Sequence, residues 1–316
     1  MPRIIGMDEA GYGPNLGPLV ITTTVWNVPG SKNDFDFWES FAGLLAEPKT
    51  RDASRIAVGD SKALYSPTTG IARLEKSVHV FADLARKQAT SFNTLWDSLT
   101  AGTSTAVRDG IPWYKNSDLA LPLKANRDAC SAIANRWREA LESTGVQLQE
   151  VRSDIVTPRR FNELTERLDS KGLALSHLSL RLLRSVWNPD DDEPTLVIAD
   201  KHGGRNRYDA LLNEVLEGPL AFRLEQGRAR SRYRLGNSEV RFQMKAESHF
   251  PVALASMFAK YVRELAMEQF NRFWQEQLPG IKPTKGYPVD AKRFRADIAE
   301  RQTALGIEDA VLWRER

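Results

Sequence analysis

The first 28 residues narrow what this chain can fold into. An apolar strand candidate over residues 3–7 runs into a turn holding Gly11, Gly13, Pro14, Gly17 and Pro18. The β-branched run Leu19–Val28 then reads as a second strand. A hairpin-like pair therefore opens a sheet. Further strands are expected at Val146–Val151, which alternates, and at Thr195–Ala199, a short continuous apolar run of the buried kind. Another is expected at Glu239–Lys245, with Val240, Phe242 and Met244 on one face, after a hairpin that includes Arg228–Arg234. Helical spacing appears over 34–46 (Phe37, Phe41, Leu44, Leu45), near 71–87 and 125–144, over 158–187 (Leu175, Leu178, Leu182, Val186) and over 206–218. A long helix opens at Pro251 and reaches about Gln275, with Leu254, Phe258, Tyr261, Leu265 and Phe273 as its core stripe. This order predicts a mixed α/β fold, not the strict alternation of a doubly wound sheet.

The 316 residues are 41% hydrophobic, enough for a sizeable core, and are read as one domain over 1–316 with an insertion at about 66–145. A formal net charge of +3 excludes a histone-like tail protein and a strongly acidic solvating chain. Cys130 is the one cysteine, which excludes an intrachain disulfide and a multi-cysteine zinc site and suits a reducing cytoplasm. No apolar run approaches the ~18 residues of a membrane helix, and Met1–Met7 leads straight to Asp8 without the apolar stretch of a signal peptide.

Acids stand at the ends of the strand candidates: Asp8 and Glu9 after the first, Asp200 after the most apolar one, Glu247 after Val240–Met244. If those strands are neighbours, four carboxylates converge. Packed together they repel, and divalent cations relieve that repulsion. Oxygen ligands without cysteine favour Mg2+ or Mn2+ over zinc, and two such ions about 4 Å apart form the clamp used in phosphodiester cleavage. Adjacent strand residues face opposite ways, so the first strand is expected to break at Asp8–Glu9. The glycine turn fails as a dinucleotide fingerprint, because Pro14 intrudes, the last glycine is one residue late and a strand follows. It remains a turn that lets a ligand's backbone come close. The run Asp190–Glu193 reads as a solvated acidic loop.

The run Gly6-Met7-Asp8-Glu9-Ala10-Gly11-Tyr12-Gly13-Pro14, then Gly17-Pro18, resembles the opening motif of type 2 ribonuclease H, the HII/HIII family. Asp60-Ser61-Lys62-Ala63-Leu64, Ile198-Ala199-Asp200, Lys245-Ala246-Glu247, Ala255 to Arg263 and Gly286-Tyr287-Pro288 resemble its later motifs, in the family's order. The resemblance implies a ribonuclease H-like fold, a mixed sheet flanked by helices. It implies a metal-dependent endoribonuclease that hydrolyses the RNA strand of RNA/DNA hybrids, or of duplexes containing ribonucleotides, with Mg2+ or Mn2+ at a two-metal site. Asp8, Glu9, Asp200 and Glu247 inherit the metal-ligand and catalytic roles. Gly11, Tyr12 and Gly13 inherit the approach to the 2′-OH, which tells RNA from DNA. Ser61, Lys62 and Lys245 fall at substrate-contacting positions, and Tyr287 inherits packing on a sugar of the DNA strand, within a C-terminal helical substrate-binding segment at about 277–316. Tyr12 replaces the arginine of the HII branch, and Glu247 replaces its aspartate, as in the HIII branch. Neither a membrane nor a protein partner is implied, and a monomer is expected. A same-fold nuclease acting on another duplex, and a hybrid-binding module without turnover, are the alternatives.

Residues 201–245 hold ten Lys and Arg against five Asp and Glu, so a phosphate-binding face there competes with a solvated hairpin edge. Lys260 and Arg263 suit either a phosphate or a structural ion pair. His202 and His249, two residues after catalytic-acid positions, read as proton shuttles or as ordinary surface histidines.

Overall fold

The computed structural model describes residues 1–46, 52, 54–65, 70–100, 104–115 and 117–315. In chain order the elements are β1 (Arg3–Ala10), β2 (Leu19–Asn27), α1 (Phe37–Ser40), β3 (Leu45–Ala46), β4 (Ile56–Ala57), α2 (Ser61–Leu64), α3 (Ala72–Leu84), α4 (Phe92–Leu99), α5 (Ser104–Asp109) and α6 (Arg127–Thr144). There follow β5 (Gln147–Val156), α7 (Pro158–Leu168), α8 (Lys171–Val186), β6 (Thr195–Asp200), α9 (Asp209–Leu216), β7 (Phe222–Gln226), β8 (Arg230–Leu235), β9 (Ser238–Gln243), α10 (Phe250–Gln277), α11 (Pro288–Ala304) and α12 (Asp309–Leu312).

Seven strands form one mixed sheet in the order β5-β2-β1-β6-β9-β8-β7. β2 runs antiparallel to both β1 and β5, whereas β1, β6 and β9 are mutually parallel neighbours. β8 and β7 extend the far side as antiparallel strands. Side-chain alternation gives each strand two apolar faces. Ile5, Met7, Leu19, Ile21, Val197 and Phe242 pack under α7, α8 and α9. Ile4, Val20 and Trp26 face the other way, into a larger cluster built around α10 with α3, α4, α6 and α11. Within the span expected to be an insertion, α3, α4 and α6 belong to that same cluster; residues 66–69, 101–103 and 116 of the span lie outside the described residues.

Several local expectations are corrected. The helix expected over 34–46 forms only at Phe37–Ser40, capped by Asp36. Its aromatic residues serve as separate anchors instead of a helical stripe: Phe37 stacks on Phe250 with centroids 5.3 Å apart, and Phe41 meets Trp137 at 5.0 Å. The expected helix 158–187 is two helices. Asp169 takes a left-handed conformation and Ser170 caps α8, accepting from the Leu173 N–H. α10 is not amphipathic, because it is enclosed between the sheet and the outer helices and is buried on nearly every face. Met244, expected inward with Val240 and Phe242, lies beyond the end of β9 and is exposed. Among the described residues no helix is long and apolar enough to cross a membrane.

Candidate active site

Three neighbouring strands deliver the acids. β1 does not break at Asp8–Glu9. It stays paired with β2 through Asp8↔Thr22, Glu9↔Ile21 and Ala10↔Val20. Its parallel ladder with β6, however, ends at Met7↔Ala199. Past that point one edge of β1 has no strand beside it, and a cavity of about 260 Å3 opens there. Asp8 and Glu9 project to opposite sides of β1, yet both line this cavity because it meets the strand's open edge. Asp200 arrives as the last residue of β6. Glu247 arrives on a 3-10 turn, Ala246–Ser248, that follows the left-handed Lys245 (φ 57°) after β9. Asp60, quoted in the second motif but not assigned a role, supplies a fifth carboxylate to the lining.

The electrostatics follow from this crowding. Enclosure pushes the Asp8 carboxyl up to about 7, and the charges of Asp200 and Glu247 push the same way, against hydrogen bonds from Ser256 and the Glu9 backbone. The Ser256 and Ser61 hydroxyls also lie 3.2 Å apart, with Ser256 free to accept from Ser61, so α2 and α10 are tied beside Asp8. The Ala246 N–H donates to Asp200 Oδ1 at 3.5 Å.

Gly11, Tyr12 and Gly13 also line the cavity. At Gly11 the chain needs glycine, since φ is +92° and a Cβ would stand 2.7 Å from the Pro18 carbonyl oxygen and from Arg263 Cδ. The Tyr12 ring lies 4.6 Å from Lys171 Nζ, and burial followed by the Glu9 charge raises its phenol pKa. Ser61 and Tyr287 line the same cavity, Ser61 buried and Tyr287 exposed at its rim. Lys245 is exposed at the end of β9. Lys62 falls on α2, but its side chain lies outside the described residues.

Arg263 is structural. Fully enclosed, it donates to the carbonyls of Pro18 (2.8 Å), Leu16 (3.2 Å) and Lys285 (3.1 Å), behind the glycine turn. Lys260 pairs with Glu264 one helical turn on, at 2.7 Å. His202 is neither exposed nor poised for proton transfer. Burial, then the Arg205 charge, hold its pKa down to about 3, and it packs against Tyr208 and Phe242 with Ser176 3.1 Å from Nδ1. His249 starts α10 beside Gln243 and lines a different cavity. The arginines of β8 are matched by carboxylates on neighbouring strands: Arg230 by Glu225 (2.8 Å) and Arg232 by Glu239 (2.7 Å). Arg234 lies over the Phe222 ring. Part of the basic count of 201–245 is thus a cross-strand ion-pair lattice with acids of the same stretch, a pairing hidden until the strand register is known.

Two features had no signal in sequence. Arg314 reaches back to the glycine turn from the other end of the chain, donating to the carbonyls of Gly11 and Pro14. Lys285 joins Glu264 (2.7 Å) and the Tyr65 hydroxyl (2.7 Å). Among the described residues no three His, Cys, Asp or Glu side chains already stand as a closed metal-binding group. The acids converge on one cavity but are not drawn together around one point.

No family model and no curated protein matches the chain. Solved structures do. A ribonuclease H2 from Pyrococcus horikoshii is 16% identical, with 98% of this chain and 92% of that one covered and a TM-score of 0.47. The RNase H3 of Aquifex aeolicus is 15% identical over 98% of this chain and 70% of that one, with a TM-score of 0.40. Bst-RNase HIII, in a structure described as a complex with Mn2+, is 17% identical over 99% of this chain and 66% of that one, with a TM-score of 0.42. By its own strand order and polarity the chain is a mixed seven-stranded sheet flanked by helices, and type 2 ribonucleases H are among the solved structures it is similar to.

Proposed function

We propose that this protein is a metal-dependent endoribonuclease that hydrolyses the RNA strand of RNA/DNA hybrids, leaving 5′-phosphate ends. The observation that carries the reading is the shared cavity: Asp8, Glu9, Asp200 and Glu247 line it together with the turn Gly11–Gly13. These are the residues that the motif resemblance assigns to metal and to the 2′-OH.

The donor set fits Mg2+ or Mn2+. It consists of carboxylate oxygens, and Asp8 is an acid raised first by burial and then by the charges of Asp200 and Glu247, a cluster whose repulsion a divalent cation removes. Asp8, Glu9, Asp200 and Glu247 would hold the ions. When bound, these supply an activated water and a charged partner for the leaving oxygen. The remaining work falls to the chain. The glycine turn brings backbone groups near the ribose, where the 2′-OH separates RNA from DNA. Tyr287 offers an exposed ring at the rim for a sugar of the paired strand. Lys245, exposed between β9 and Glu247, is placed to meet a phosphate.

The test offers purified protein an RNA/DNA hybrid, a duplex with one ribonucleotide, double-stranded RNA and double-stranded DNA, each with Mg2+ or Mn2+. Hybrid cleavage is expected, and Asp8→Asn and Asp200→Asn are each expected to lower its rate about 10^3-fold or more, roughly 4 kcal/mol of transition-state stabilisation. Binding of hybrid with no cleavage under either metal would overturn the reading, and selective cutting of another duplex would replace the substrate.

A further inference from the structure

Arg314 is 2% exposed. Its guanidinium lies over the Phe161 ring at 5.3 Å, and no carboxylate pairs with it among the described salt bridges. Nη2 donates to the carbonyls of Gly11 and Pro14, while Nε and Nη1 are buried with no hydrogen-bond partner among the described residues. A second buried guanidinium, that of Arg263, stands near enough to repel it. An enclosed cation with unmet donors and a like charge beside it is costly for stability. A core filled for stability alone would place an apolar side chain there.

The surrounding chain holds Arg314 where it is. Its N–H donates to the Asn15 carbonyl (2.8 Å), and Asn15 Nδ2 donates to its carbonyl (2.9 Å). Trp313 pairs with Leu16 as an isolated bridge. From the other side Asn162 donates to the Trp313 carbonyl (2.8 Å) and accepts from the Glu315 N–H (2.9 Å). Residues 313–315 are therefore a strap, tied at both edges, that delivers one guanidinium to the back of the glycine turn.

The direction of those bonds matters. In a trans peptide the C=O of one residue and the N–H of the next point opposite ways. With the Gly11 carbonyl turned onto Arg314, the Tyr12 N–H of the same peptide is turned away from Arg314, and Gly11, Tyr12 and Gly13 line the cavity.

We infer that Arg314 is a positioning residue that fixes the Gly11–Tyr12 peptide plane, so that the Tyr12 N–H faces the 2′-OH at the cleavage site. This rests on the hybrid-cleaving reading of the cavity. Arg314 touches no substrate; it acts through the turn.

The experiment compares wild type, Arg314→Met and Arg314→Lys in two measurements. In free protein, the Tyr12 amide resonance is expected to shift and broaden in Arg314→Met, with those of Ile4–Met7 of β1 unchanged, because the freed peptide plane samples other orientations. In turnover, Arg314→Met is expected to lower kcat about tenfold with little change in KM, the pattern of a contact made in the transition state. Arg314→Lys, which keeps the charge and reaches one carbonyl, falls between. The deciding readout is a hybrid carrying 2′-fluoro at the cut. The losses from that substitution and from Arg314→Met are expected not to add, because both remove one contact. Additive losses, or amide resonances changing equally along β1, would overturn the proposal by making Arg314 a general stabiliser. If Arg314→Met fails to fold, Asn15→Ser loosens the strap, and the same two outcomes apply. A wild-type protein that cuts no hybrid overturns the reading of the cavity. The Tyr12 amide resonance then judges the strap by itself: an unchanged signal in the variant overturns it and a shifted, broadened one supports it.

Discussion

Glu264 shows what single residues contribute around this cavity. It is 7% exposed, and burial by itself would raise its carboxyl. Lys260 and Lys285 outweigh burial and hold it down to about 2. A carboxyl with a lowered folded-state pKa contributes stability that is complete above its unfolded value, near 4.5, and lost as pH falls toward the folded value. Glu264→Gln is therefore expected to cost about 1–3 kcal/mol near neutral pH, less than breaking a fully buried pair because Lys285 is half exposed and can rehydrate. Urea unfolding of both proteins at a series of pH values checks this. Their difference should shrink between about pH 4.5 and pH 2, and a difference constant across that window would refute the assignment. Part of this arrangement was readable in the sequence: Lys260 and Glu264 are one helical turn apart, so an ion pair competed with a phosphate contact. Lys285 and Arg314 were not readable, because their partners lie 21 and about 300 residues away and depend on how the chain folds back.

At the scale of elements, the approach of α10 to β1 fixes the site. Gly6 lies where a Cβ would stand 2.2 Å from the Pro251 carbonyl carbon and 2.4 Å from the Val252 nitrogen. Thr24 of β2 donates to the Pro251 carbonyl at 2.8 Å, and the Trp26 indole donates to Thr24 at 3.1 Å, so the helix start is pinned across two strands. This contact sets how far Ser256, little more than one turn of helix later, stands from Asp8. Gly6→Ala must push backbone from backbone and is expected to lose about 2–3 kcal/mol or more, read as a lower urea midpoint. Gly13→Ala, where an added Cβ meets nothing within 4 Å, is the control and should leave that midpoint within about 0.5 kcal/mol. Equal losses would mean that the helix can shift to accommodate a methyl. Elements whose side chains repeat with one burial period were legible: β2, α3, α6, β6 and the span of α10. Those shaped by long-range packing were not. α10 has no polar face because helices cover its outer side. β7 is an edge strand with both faces mostly exposed, so it lacks the alternation that marks a half-buried strand. The bend at Asp169–Ser170 did carry a local signal, a serine in capping position, which the longer apolar period concealed.

At the scale of the whole molecule, the near-neutral net charge of +3 conceals a division of labour. Carboxylates gather at one cavity, whereas Arg230 and Arg232 of the basic stretch 201–245 are taken up in cross-strand pairs of the outer sheet. The cavity draws on β1, α2, β6, the turn after β9 and α10, with residues 313–315 behind its glycine wall, so it is complete only when the whole chain has folded. Gathering acids in this way opposes folding until a cation enters, and metal binding should therefore appear as added global stability. At about 100 times the dissociation constant a ligand specific for the native state adds about 2.7 kcal/mol. For a domain of this size that is a melting midpoint higher by about 3–8 °C. Asp8→Asn removes the acid most opposed by its surroundings. It is expected to melt higher than wild type without metal, and to gain little when Mg2+ or Mn2+ is added. Calorimetry of both proteins with chelator and with each metal measures the two effects together. The same metal-induced rise in wild type and Asp8→Asn would place the cation elsewhere on the molecule. A lower metal-free midpoint for Asp8→Asn would mean that the Ser256 hydrogen bond to Asp8 outweighs the repulsion and burial that raise its carboxyl.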